Sequence, residues 1–123
     1  MQDITTRKDI EFLVASFYTK VKQDKQIGYF FTEIANLDFD SHLPVMCDFW
    51  ENIIFKKAIY KGNPMLSHIH LHKKMNIESF HFEKWLRLWE QTLIQNFVGE
   101  NANEALQRAK QIASLIQLKL SRS

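Results

Sequence analysis

Residues that break regular structure are scarce in this 123-residue chain, which has three glycines and two prolines. A fold of many short strands needs turn residues every few positions, so this scarcity argues for helices. The single cysteine, Cys47, excludes an internal disulfide and offers no cysteine pair to a metal. A reduced compartment follows as the expectation. No window approaches the length of a membrane span, and the opening Met1-Gln-Asp-Ile-Thr-Thr-Arg7 has no apolar run of signal-peptide type. The expectation is a cytoplasmic protein without a membrane partner. A formal net charge of +2, with lysines spread along the chain, is too weak for a nucleic-acid surface. There are no repeats, low-complexity segments or linkers, so residues 1–123 read as one domain. No spare apolar stripe demands a dimer, which makes a monomer the default.

What is present is apolar and aromatic. Hydrophobic residues make up 46% of the chain and aromatics 13%, with ten phenylalanines. That fills one core with more large rings than a small helical domain usually needs. Helical spacing recurs along the chain. Ile10, Leu13, Val14, Phe17 and Val21 form the stripe of a helix predicted over about Thr6 to Gln23, with Tyr18 beside it. Gly28 allows a tight turn in the segment that follows, and Phe31 is expected to point inward. A second helix starts near Asp40 or Ser41 and runs to about Lys57, with Pro44 in its first turn. His42, Met46, Phe49, Trp50 and Ile53 share one of its faces. Tyr60-Lys-Gly-Asn-Pro64 is a loop, and a short helix is predicted over about Met65 to Lys73. Two more helices follow. One spans about Ser79 to Phe97, with Phe82, Trp85, Leu86, Trp89, Leu93 and Phe97 apolar. The last spans about Asn103 to Leu120, with Leu106, Ala109, Ile112, Ala113, Ile116 and Leu120 apolar.

Five histidines are the candidates for chemistry: His42, His68, His70, His72 and His81. Three readings compete for the run His68-Ile-His70-Leu-His72. In the first, His68 and His72 share a helix face and bind zinc, with a further ligand from His42, His81 or a carboxylate. No His-Glu-x-x-His pattern accompanies them. In the second, the run is a solvated face beside Lys73 and Lys74. In the third, one histidine ligates a heme iron. Heme needs a neutral imidazole, a slot of rings and aliphatics, and polar tips on the far side. His68, the set Phe17, Phe31, Phe49 and Trp85, and the tips of Tyr18, His42 and Trp85 would supply these. Tyrosine and tryptophan on apolar faces also serve as plain core residues whose N–H or O–H finds a backbone partner.

Order and spacing add a resemblance. Phe17-Tyr18 comes early. His42 then precedes Leu43-Pro-Val-Met-Cys-Asp-Phe49-Trp50, Tyr60-Lys-Gly-Asn-Pro-Met-Leu-Ser-His68 follows, and His81-Phe-Glu-Lys-Trp85-Leu86 closes the set. From about Phe12 to Leu120 the chain resembles the group III truncated hemoglobins of bacteria. Its three glycines stand alone, unlike the glycine pairs of groups I and II. The resemblance implies an all-α truncated globin, a two-over-two helical sandwich around heme b (iron protoporphyrin IX). It implies His68 as the iron ligand and Tyr18 and Trp85 as distal hydrogen-bond donors to a diatomic gas (oxygen, nitric oxide or carbon monoxide). It places His42 at the distal histidine position and Phe31 as the ring that wedges the heme. Met46 and Phe49 then line the distal side, with Trp50 on the cofactor-facing stripe. Met46 departs from the branched aliphatic expected there, and the histidines and lysines after His68 are more numerous than the family leads one to expect. His72 therefore remains the competing iron ligand, while His70 lies about 200° round a helix from His68.

Two classes of function remain. In one, the protein reversibly binds a gas. In the other, it is a heme enzyme of peroxidase-like or nitric-oxide-oxidising type. No flavin or nicotinamide motif is present, so an enzyme would need a separate reductase. A helical bundle without heme, binding zinc or a partner helix, is the third arrangement.

Overall fold

A computed structural model describes residues 1–29, 39–56 and 77–121. Four helices run through them: α1, Arg7–Gln23; α2, Phe39–Phe55; α3, Ser79–Asn96; and α4, Glu100–Ser121. The short helix expected over about Met65 to Lys73 lies outside the described residues, as do Phe31, His68, His70 and His72. No helix among the described residues is long and apolar enough to cross a membrane.

The helix α1 begins where the sequence marks it. Thr6 is the N-cap, its side chain accepting the Asp9 N–H at 3.2 Å, and Asp9 returns the bond to the Thr6 N–H at 3.1 Å. All six apolar positions predicted for this helix, Tyr18 included, are buried. At its end Asp24 accepts the N–H groups of Gln26 and Ile27 and pairs with Lys84 of α3 at 3.1 Å. Gly28 returns so close to α1 that a Cβ there would stand 2.9 Å from the Val21 and Lys22 carbonyl oxygens.

The packing runs in a ring: α1 against α2, α2 against α4, α4 against α3 and α3 against α1. Two helix pairs are thereby stacked one on the other. Arg7 ties α1 to α2 through Asp48 at 2.7 Å and the buried Glu51 at 2.6 Å. Lys20 reaches from α1 to Thr92 and Gln95 of α3.

Two elements depart from expectation. In α2, Pro44 is the sixth helical residue, one or two positions deeper than a start at Asp40 or Ser41 would place it. The fully buried stripe is Cys47, Trp50 and Ile54, one residue round from the predicted face. His42, Met46, Phe49 and Ile53 are half-buried along its border. The helix ends at Phe55 because Lys56 turns left-handed, with φ 58°.

The last helix begins three residues earlier than predicted, because its cap is distant in sequence. Asp3 accepts the N–H groups of Asn101 and Ala102, each at 2.9 Å, so the chain's start closes the helix's open end. Gly99 leaves the room: its φ is 142°, and a Cβ would stand 2.4 Å from the Asp3 carboxyl carbon. Val98 N–H bonds Gln2, and Asn101 Nδ2 bonds the Ile4 carbonyl. Along the face turned inward, Ala102, Ala105, Ala109 and Ala113 are buried, which lets α4 approach its neighbours closely.

Burial raises the Asp3 pKa, but its backbone hydrogen bonds outweigh that and lower it below the ordinary value of 3.8. Its stabilisation is therefore complete above that value and is lost as pH falls through the lowered pKa. Asp3→Ala should cost about 1–2 kcal/mol in urea unfolding at neutral pH. The variant should also lose part of the wild-type decline in stability on the acid side.

Candidate functional site

Helix α1 carries Phe17 and Tyr18 in succession, so their rings leave the helix about 100° apart. Phe17 is 1% exposed and meets two rings of α3 edge-on, Trp85 at 5.5 Å and Trp89 at 5.0 Å. Tyr18, also buried, turns toward α2. Its hydroxyl lies 3.3 Å from Nε2 of His42, and the two rings meet edge-on at 5.6 Å. The half-buried His42, Met46 and Phe49 stripe of α2 continues the wall below that contact. One hydroxyl and one imidazole thus stand as polar tips within a border otherwise made of rings and a thioether.

Burial pushes the Tyr18 hydroxyl well above the ordinary tyrosine range, with a smaller contribution from Cys47. It stays protonated at neutral pH and keeps a hydrogen to donate. The role of His42 depends on its tautomer. With the proton on Nε2, His42 donates to the tyrosine oxygen and leaves the tyrosine hydrogen to point elsewhere. With the proton on Nδ1, the tyrosine donates to His42. Cys47 is buried, and desolvation pushes its thiol up to about 11, so it is an inert neighbour.

Trp85 is half-buried on α3, with its ring parallel to Trp89 one turn on. Trp50 had been expected on the cofactor-facing stripe. It is 4% exposed, and its ring stacks on Trp89 at 4.5 Å, within the core. The reading by residue missed Trp89 as the ring that joins α1, α2 and α3. The i, i+4 spacing of Trp85 and Trp89 was the available signal. A second apolar cluster, Phe82 with Ala113, Ile116 and Leu120, joins α3 to α4.

No group of three His, Cys, Asp or Glu side chains able to hold a metal occurs among the described residues, which include His42 and His81. Nδ1 of His81 accepts the Glu78 N–H at 2.8 Å and so helps to start α3.

Two stacked helix pairs that set a tyrosine against a histidine beside a buried cluster of rings define a globin-type domain. The sequence model of the bacterial-like globins matches residues 2–118, and the chain belongs to that family. It is 31% identical over 114 residues to the group 3 truncated hemoglobin of Campylobacter jejuni subsp. jejuni serotype O:2, spanning 90% of this chain and 87% of that protein. The crystal structure of group III truncated hemoglobin from Campylobacter jejuni matches with a TM-score of 0.85 at 31% identity. That match covers 98% of this chain and 95% of the other. The fold is the two-over-two truncated globin, and heme is the prosthetic group that such a globin holds. The described residues fit a flat apolar macrocycle: the half-buried stripe of α2 offers it an apolar face, and Tyr18 with His42 adds polar tips.

Burial lowers the His81 pKa below its ordinary 6.5, against a smaller raising influence of Glu78. The amide donating to Nδ1 also favours the neutral ring. Its contribution is therefore complete above 6.5 and is lost as pH falls below it. Thermal unfolding from about pH 7 to about pH 5 should decline less steeply in His81→Gln than in the wild type. Equal slopes would remove His81 from the acid response.

Proposed function

We propose that this chain holds heme b through His68 and reversibly binds a diatomic gas, oxygen first, with Tyr18 and Trp85 as distal hydrogen-bond donors. The observation that carries the reading is the buried Tyr18 hydroxyl 3.3 Å from His42 Nε2, on a border lined by Met46 and Phe49. The similarity to group III truncated hemoglobins supports the role of His68, and Phe31 is proposed to wedge the macrocycle from the segment that follows α1.

When bound, heme iron supplies a redox-active metal with a coordination position for a gas. The chain supplies the rest. The neutral imidazole of His68 gives the metal its protein ligand. The Phe17, Met46, Phe49 and Trp85 side chains exclude water, which strengthens every polar contact inside. Tyr18 enters as a protonated donor because burial opposes its ionisation. His42 sets how that proton is used: an Nε2–H bond to the tyrosine oxygen orients the hydroxyl and leaves its hydrogen for the gas. The indole N–H of Trp85 adds a second donor from α3, on the opposite helix pair. Both donors act by holding the gas rather than by speeding its entry.

A single donor of this kind contributes about 1 kcal/mol or somewhat more, so Tyr18→Phe should speed oxygen dissociation about tenfold. Stopped-flow displacement of oxygen from the ferrous protein measures it. Release at the wild-type rate would remove Tyr18 as the donor.

A further inference from the structure

Three indoles form a continuous stack from the site into the core. Trp85 and Trp89 lie one turn apart on α3 with planes only 4° from parallel and centroids 6.1 Å apart. Trp89 stacks in turn on Trp50 of α2, at 4.5 Å and 23°. Trp89 is 1% exposed and Trp50 4%, while Trp85 is half-buried. The Trp89 N–H donates to the Ala105 carbonyl at 3.2 Å.

We propose that Trp85, Trp89 and Trp50 form a relay that carries an electron vacancy away from the heme site when the protein meets a hydroperoxide. The proposal rests on the reading that Trp85 lies beside the heme. Indole is among the most readily oxidised side chains, and two features favour a positive charge further along the stack. The face of one indole stabilises a cation on the other, most strongly for the closer Trp89–Trp50 pair. The carbonyl that accepts the Trp89 N–H also favours a positively charged ring. Trp85 lacks the closer stacking partner, so the vacancy runs inward from it.

A hydroperoxide, ROOH, takes two electrons and two protons to give ROH and water, its O–O bond breaking. With heme bound, its iron would supply one electron and Trp85 the other. Trp89 refills Trp85, and Trp50 refills Trp89. Trp50 ends one electron short as a positively charged ring held against the face of Trp89, and both protons consumed come from solvent. The relay would thereby spare the heme site one of the two oxidising equivalents, which comes to rest on a buried ring.

The test uses the hemin-loaded ferric protein treated with tert-butyl hydroperoxide in air. Oxygen insertion is located by mass spectrometry of tryptic peptides, and an indolyl signal is followed by electron paramagnetic resonance. The wild type should gain oxygen at Trp50 and Trp89. In Trp89→Phe, oxidation at Trp50 should fall to the untreated background and oxidation at Trp85 should rise. Trp50→Phe, which keeps Trp89 in place, should move the terminal oxidation to Trp89 and so tests the relay even if the first variant does not fold. The relay is overturned by oxidation confined to Trp85 or absent from all three in the wild type. It is equally overturned by undiminished Trp50 oxidation in Trp89→Phe, or by equal Trp50 oxidation in heme-free protein. A chain that binds hemin but fails in these ways leaves the gas-binding reading standing, whereas a chain that takes up no hemin overturns both.

Discussion

The edge-on packing of Phe17 against Trp85 and Trp89 is the contact on which the rest of the structure depends. Phe17 is almost wholly buried, and it fixes how α1 crosses α3. Because side chains on a helix advance by a fixed angle, fixing Phe17 also fixes Tyr18, which then faces α2 and meets His42. The structural and the chemical contacts are therefore set by adjacent residues on one helix. Burial of large rings supplies the energy that keeps this crossing in place: each buries 150–250 Å², roughly, before any edge-on preference is added. Replacing Phe17 with a small residue would loosen the packing that places the tyrosine hydroxyl.

The two helix pairs are held at their ends by polar contacts. Arg7, Asp48 and Glu51 join the start of α1 to α2. Lys84 and Asp24 join the end of α1 to α3. Asp3 joins the chain's start to α4. Apolar packing chooses which faces meet, whereas these directional bonds fix register along the helix axes. The site lies along α2, between its deeply buried stripe and solvent, where side chains are half-covered by protein and remain able to face a prosthetic group.

Much of the fold was legible in the sequence because helices announce themselves by period. The stripe of α1 is a local signal, and it appears in the structure. The expectations that failed were set by long-range partners. The start of α4 could not be read locally, since its cap, Asp3, lies almost a hundred residues away. In α2 the apolar stretch is broad enough to offer two adjacent stripes, and only the approach of α1 and α4 decides that Cys47, Trp50 and Ile54 go inward. Trp50 illustrates the consequence, because its indole packs on Trp89 within the core. The candidate site was proposed from the order of Tyr18, His42 and Trp85 and not from periodicity, which treats all three as ordinary members of apolar faces. No local pattern in the sequence joins Tyr18 to His42, 24 positions on; the 3.3 Å contact appears only when α1 and α2 pack.

The central claim is that this border of α1, α2 and α3 receives a heme ligated by His68. Titrating hemin into the wild type and His68→Ala while recording the visible spectrum tests it most directly. The account predicts saturable uptake with the spectrum of a histidine-ligated heme in the wild type, and loss of that ligation in the variant. A wild-type protein without a Soret band, or a variant whose spectrum and affinity are unchanged, would contradict it.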